Sequence, residues 1–153
     1  MTFSELAPRW HEMEERYTQS SIHSILGLTL KVLAPGEVEI HYDGRKEAAN
    51  RRGNPSGGLL AQMVDSAVMQ SVGTLLDESD SITTLELKIN YLRAAEPGAT
   101  LVARGNIEHC GRTIAVGTAR VEDTQQRVVA VAVVTVSIRR APTERDIDGK
   151  KGA

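Results

Sequence analysis

Between Gly57 and Leu76 the chain carries a single carboxylate, Asp65, among the apolar neighbours Val64, Val68 and Met69. A charge in such surroundings is expensive unless a partner or a substrate uses it. Upstream, Gly57 and Gly58 open the same apolar run. If that run is a helix, its first backbone N–H groups lack intrahelical acceptors. They also stand at the positive end of the macrodipole, where they can hold an oxyanion. Glycine removes the side chain, so a carbonyl oxygen can come close to the backbone. A carboxylate is ionised at neutral pH and gains basicity as burial strips its water, which suits it to activate water or to attack an acyl carbon directly. Taken singly, each feature also has a plain structural reading. Asp65 could sit on an exposed helix edge or in a structural hydrogen bond, and Gly57-Gly58 could be a tight loop-to-helix turn.

The glycine pair and the carboxylate cannot serve one substrate atom within one chain, because the helix between Gly57 and Asp65 separates them by about 12 Å along its axis. Two such helices lying antiparallel across a twofold axis would set Asp65 of one protomer opposite Gly57 of the other, giving two equivalent sites. The expected assembly is a homodimer or a dimer of dimers.

The elements that must position these residues follow from periodicity. Leu59, Leu60, Met63, Val64, Ala67, Val68, Val72 and Leu75 recur at helical spacing over most of the circumference, as in a buried helix. Leu6, Trp10, Met13 and Tyr17 form one stripe of an amphipathic helix from about Phe3 to Gln19, with Thr2 and Glu5 resembling a capping box and Pro8 tolerable in the first turn. Leu26 to His41 alternates on either side of Ala34-Pro35-Gly36 and predicts a hairpin. Residues 44–56 are polar and aperiodic and read as a loop. Four segments rich in β-branched residues predict strands over Ile82–Leu92, Thr100–Cys110, Thr113–Glu122 and Arg127–Ile138, and the short turn signals between them predict pairing of consecutive strands in a meander. The result is an α+β architecture with about six antiparallel strands wrapped around one long buried helix. The expected organisation is an N-terminal helix and linker (1–26), one domain (27–140) and a frayed charged tail (141–153).

With 153 residues there is room for one well-buried domain, and 41% hydrophobic with 25% charged residues is a globular balance. The net charge of −2, with 18 basic residues scattered among 20 acidic ones, leaves no basic field for nucleic acid. One cysteine, Cys110, rules out an internal disulfide framework and fits a reducing, cytoplasmic setting. The N-terminus is acidic and no long apolar run occurs, so neither a targeting segment nor a membrane partner is expected. His11, His23, His41 and His109 lack ligand spacing. Neither a metal nor a cofactor is expected.

Together these residues resemble the hotdog-fold acyl-CoA thioesterases of the phenylacetate-catabolism (PaaI-like) type, whose pattern is Asn, loop, His-Gly-Gly, helix, Asp. Here it reads Asn50-Arg51-Arg52-Gly53-Asn54-Pro55-Ser56-Gly57-Gly58 with Asp65 at the matching distance. Leu87 to Ala95 followed by Pro97-Gly98, the Gly111-Arg112 hairpin and the strand ending Val134-Thr135-Val136 also match. The likeness spans about Gly27 to Ile138.

The resemblance implies hydrolysis of acyl-CoA to the free acid and coenzyme A. The Gly57 N–H would polarise the thioester carbonyl, and Asp65 would be general base or nucleophile. Thr84 would hold the water, with Thr83 its rival if the register differs by one, and alternation puts Thr84 on the face opposite Leu85, Leu87 and Ile89. Asn50 would orient the loop or the carbonyl, unless it is only a turn residue. Ser56, Gly58, Asn54 and Arg112 complete the implied substrate-binding set, with Arg112 facing the nucleotide of coenzyme A. Arg93 and the Arg139-Arg140 pair are further cations that could meet phosphates, and solvated surface charges are their ordinary reading. Ser56 departs from the family histidine. Its hydroxyl can cap the helix or donate a hydrogen bond, but it lacks an imidazole's reach and titration. No nucleophile elbow surrounds it. A chain that binds acyl-CoA without efficient turnover is the alternative this departure raises.

Overall fold

The computed structural model describes residues 3–142. Helix α1 (Phe3–Gln19) and a short helix α2 (Ser21–Leu26) precede strands β1 (Leu28–Ala34) and β2 (Glu37–Tyr42). After a single helical turn at Lys46–Ala48 come α3 (Gly57–Gly73), β3 (Ser81–Tyr91), β4 (Leu101–Cys110), β5 (Ile114–Asp123) and β6 (Val128–Arg139). The six strands form one antiparallel sheet in the order β1-β2-β4-β5-β6-β3. Helix α3 lies across its concave face, which is the hotdog arrangement. The proposed N-terminal capping pair and the Leu6 side chain lie outside the described side chains, and residues 143–153 of the expected tail lie outside the described residues.

The core follows from two periodicities meeting. Leu59, Leu60, Met63, Val64, Ala67, Val68 and Val72 of α3 are all buried, and so are the inward residues of every second position on β4 and β5, from Leu101 to Gly105 and from Ala115 to Asp123. Where the sheet passes closest under the helix it has no side chains. A Cβ on Gly105 would lie 2.4 Å from the Ala67 carbonyl oxygen, and one on Gly117 2.7 Å from Val68. Glycine at these two positions sets the depth at which α3 rests on the sheet.

Two expectations are corrected. Consecutive strands do not all pair, because β3 leaves β4 to lie beside β6 at the far edge. The connection Leu92–Thr100 is too long for a tight hairpin and instead crosses the layer, and it is the insertion of α3 between β2 and β3 that separates the first hairpin from the later strands. Secondly, Ser21–Leu26, read as linker, forms α2 and ends at Gly27 in the left-handed region (φ 71°). Such a C-terminal glycine is the usual stop for a helix.

Helix α1 packs along β1 and reaches the end of α3 through its side chains. Arg9 donates to the carbonyl of Gly73, the last residue of α3, and to that of Leu76 in the turn beyond it. Trp10 and Tyr17 are buried and Met13 half-buried, so the predicted stripe faces the domain. Glu14 accepts from the Val32 N–H at 2.7 Å and pins α1 to β1. No described helix is long and apolar enough to cross a membrane.

Candidate active site

Asp65 is half-buried on the side of α3 that faces β3, and Thr84 donates its hydroxyl to Asp65 Oδ1 at 2.7 Å. The strand reaches this contact through an irregularity. Thr84 is opposite Val136 and Glu86 is opposite Thr135, so Leu85 is an extra residue bulged out of the ladder and 59% exposed. The bulge shifts the alternation by one place. Ile82, Thr84, Leu87 and Ile89 therefore all turn toward the helix, and the expectation that Thr84 faces away from Leu87 and Ile89 is overturned. Thr83 is exposed and does not share the face of Asp65.

The loop before the helix is built from its own polar groups. Asn50 Oδ1 accepts from the Arg52 N–H at 2.9 Å, while the Asn50 carbonyl accepts from Gly53 and its N–H donates to Asn54. The side chain of Asn50 is thus exposed and committed to a turn. Asn54 donates to the Ala95 carbonyl at 2.6 Å, tying the loop to the β3–β4 connection. Ser56 caps α3, its Oγ accepting from the Leu59 N–H at 3.2 Å.

Gly57 and Gly58 occupy the first two positions of α3 and are exposed. Neither needs to be glycine for the chain's own sake. Neither has a positive φ, a Cβ on Gly57 would meet the Tyr91 ring at an ordinary 3.5 Å, and one on Gly58 would meet nothing within 4 Å. Glycine is entropically unfavourable, and here it leaves no side chain over the first turn of α3. Tyr91 donates to the Gly57 carbonyl at 2.9 Å. The helix start is therefore held at the Tyr91 end of β3, while Asp65 is held further along at Thr84. Within one protomer the two features stay apart.

Arg112 is exposed on the β4–β5 turn. Ile114 pairs with Ser137, and Ser137 with Thr83, so this turn lies at the Thr84 end of the sheet, away from Gly57. Arg93, Arg139 and Arg140 are exposed, and Arg140 pairs with Asp80 at 2.8 Å.

A tyrosine that sequence patterning assigns only to a packing stripe lies beside the residue that follows Asp65. The Tyr17 hydroxyl lies beside Ser66, close enough to act on its ionisation though outside hydrogen-bond geometry. Burial pushes its phenol up to about 12; the Ser66 hydroxyl opposes the rise and the Asp65 charge adds to it. Gln62 donates to Ser66 Oγ at 3.0 Å. The Tyr17 ring stacks on His23 at 3.7 Å between centroids and 15° between planes. The signal for this contact was weak in sequence: a polar-tipped residue ending an apolar stripe.

The pattern of the Thioesterase superfamily matches residues 53–130, from the loop glycine before α3 into β6. Among solved structures, a mutant of the phenylacetic acid degradation protein PaaI from Thermus thermophilus is 27% identical, with 76% of this chain and 96% of that one covered at a TM-score of 0.69. The PaaI protein of the E. coli phenylacetic acid degradation operon is 20% identical, with coverages of 93% and 99% and a TM-score of 0.78. A thioesterase from Haemophilus influenzae is 17% identical, with coverages of 88% and 93% and a TM-score of 0.80. No curated protein sequence matches the chain. Half of the chain, including α3 with Asp65 and the whole of β3, falls within the matched pattern, and the chain belongs to the thioesterase superfamily as a PaaI-like protein of hotdog fold.

Proposed function

We propose that the protein hydrolyses acyl-CoA thioesters in a site shared by two protomers. The observation that carries this reading is the Thr84–Asp65 hydrogen bond, which fixes one carboxylate oxygen and leaves the other to take a proton from water. The water attacks the thioester carbonyl carbon and its proton passes to Asp65. The oxyanion is held by the Gly57 N–H of the partner protomer, with Gly58 leaving space for it. Collapse breaks the C–S bond, and the departing thiolate takes the proton back from Asp65. Asn50, Asn54 and Ser56 act by shaping the loop that delivers Gly57, and Arg112 meets the nucleotide phosphates of coenzyme A.

A twofold assembly is supported by β3, which is an edge strand with Leu85 and Tyr91 exposed. An unpaired strand of this length is a template for pairing. Joining two copies antiparallel along it would bring the Gly57 end of each toward Asp65 of the other.

The decisive experiment compares thiol release from an acyl-CoA panel by wild type and Asp65→Asn. Asp65→Asn is expected to fold normally and lose activity by a factor on the order of a thousand; undiminished rates would remove Asp65 from the mechanism. Single turnover in heavy-oxygen water separates the base role from a mixed anhydride, since only the anhydride route labels Asp65. Binding without efficient turnover is the second reading, favoured by Ser56 Oγ being occupied as a cap. Calorimetry with a non-hydrolysable acyl-CoA that reports binding beside a silent thiol assay would establish it.

A further inference from the structure

Two peptide donors at the start of α3 are left over once the helix has capped itself. Ser56 takes the third and fourth, its Oγ accepting from the Leu59 N–H at 3.2 Å and its carbonyl from the Leu60 N–H at 3.1 Å. Among the described residues no atom accepts from the N–H of Gly57 or of Gly58. Neither residue has a side chain to restrict its backbone, and glycine is the least restricted residue.

One neighbouring segment supplies the stiffness that the glycines lack. Asn54 donates to the Ala95 carbonyl at 2.6 Å, and Tyr91 donates to the Gly57 carbonyl at 2.9 Å. Of the two bonds only that of Tyr91 reaches the helix itself. Its ring is delivered from a fixed base: Tyr91 pairs with Ala130 in the ladder, and the N–H groups of Leu92 and Arg93 both donate to the carbonyl of the buried Val129, at 2.9 and 3.3 Å. A carbonyl oxygen has two lone pairs, so the Gly57 oxygen can serve the helix and Tyr91 together. The Gly57 carbonyl and the Gly58 N–H belong to one planar peptide unit, so holding the oxygen holds the direction of the hydrogen. A hydrogen bond accepted by that oxygen also polarises the N–H at the other end of the unit.

Resting on the hydrolysis reading above, we infer that Tyr91 is a positioning residue: it aims and polarises the Gly58 N–H so that this group joins the Gly57 N–H as a second donor to the thioester oxyanion. A donor aimed at the oxyanion acts more strongly as charge develops on the oxygen, so its effect falls on the transition state rather than on the bound substrate.

The test compares wild type, Tyr91→Phe, Asp65→Asn and the double variant on butanoyl-, octanoyl- and benzoyl-CoA. Tyr91→Phe keeps the ring beside Gly57 and loses only the hydroxyl, and rates are measured where urea denaturation shows it fully folded. Its kcat is expected to fall roughly three- to tenfold, with KM within about twofold of wild type. A vibrational measurement reads the same contact without turnover. Benzoyl-CoA isotopically labelled at the thioester carbonyl carbon is expected, when bound to Asp65→Asn, to show a carbonyl stretch below its solution value. Adding Tyr91→Phe should move the stretch back toward that value, which a merely structural role would not do. An unchanged kcat, a loss carried by KM alone, or a stretch indifferent to Tyr91→Phe overturns the positioning role, while the loss of activity in Asp65→Asn leaves hydrolysis standing. A wild type inert toward every substrate overturns both.

Discussion

Thr84 and Asp65 meet across the layer at 2.7 Å, hydroxyl to carboxylate, although they come from elements that run in different directions and are joined by a long stretch of chain. Hydrogen bonds to charged groups are worth about 1.5–3 kcal/mol. Thr84→Val is therefore expected to lower kcat/KM for thioester hydrolysis by roughly ten- to a hundredfold. Thr84→Ser should restore most of it. Steady-state thiol release checks both, and a valine variant as active as wild type would sever Thr84 from the chemistry.

Gly105 lies under Ala67, two residues from Asp65 along α3. Gly105→Ala places a methyl group 2.4 Å from a backbone carbonyl oxygen, which cannot rotate away. The helix must lift, at a cost of about 1–3 kcal/mol or more. Urea denaturation should show that loss, and activity at temperatures where the variant is fully folded should fall as well, because Asp65 moves with the helix.

Ser56→Ala removes the cap on α3 and is expected to cost about 1 kcal/mol of stability. Its effect on kcat should be much smaller than that of Asp65→Asn. A loss equal to that of the aspartate variant would give Ser56 a chemical role beyond the cap.

Tyr17 predicts a signature at alkaline pH. Its phenol titrates near 10 in the unfolded chain and near 12 in the folded one. A raised value means that the fold disfavours the phenolate, so this contribution is fully present below pH 10 and is lost as pH rises through 12. Wild type should lose about 1.4 kcal/mol relative to Tyr17→Phe between pH 9 and pH 11. Denaturation curves of the two proteins at matched pH measure the difference, and parallel curves would contradict it.

Much of this architecture could be read from residue order. The apolar circumference of α3, the β-branched runs of β4 to β6 and the Ala34-Pro35-Gly36 turn each report a local preference that the tertiary structure keeps. Asp65 and Gly57-Gly58 stand out as candidates for a related reason: each is a costly residue choice in its own element. What sequence could not supply depends on contacts between distant segments. The placement of β3 beside β6 is decided by where α3 inserts, and no turn residue encodes it. The facing of Thr84 depends on Leu85 leaving the ladder, which a strict period of two cannot anticipate. Tyr17 looks like any other member of an apolar stripe until α1 is packed on the domain. Asn50 shows the converse, since its place in a family pattern suggested a wider role than the turn its side chain makes in this protomer.

Leu85 also divides β3 into two half-strands out of phase with each other. The half that contains Thr84 is in frame with the Asp65 carboxylate, and the half that contains Leu87 and Ile89 is in frame with the core. One strand can thereby answer to two geometries at once. Forcing Leu85 back into the ladder would set the two halves on opposite faces, sacrificing either the grip on Asp65 or the apolar seal beneath the helix start.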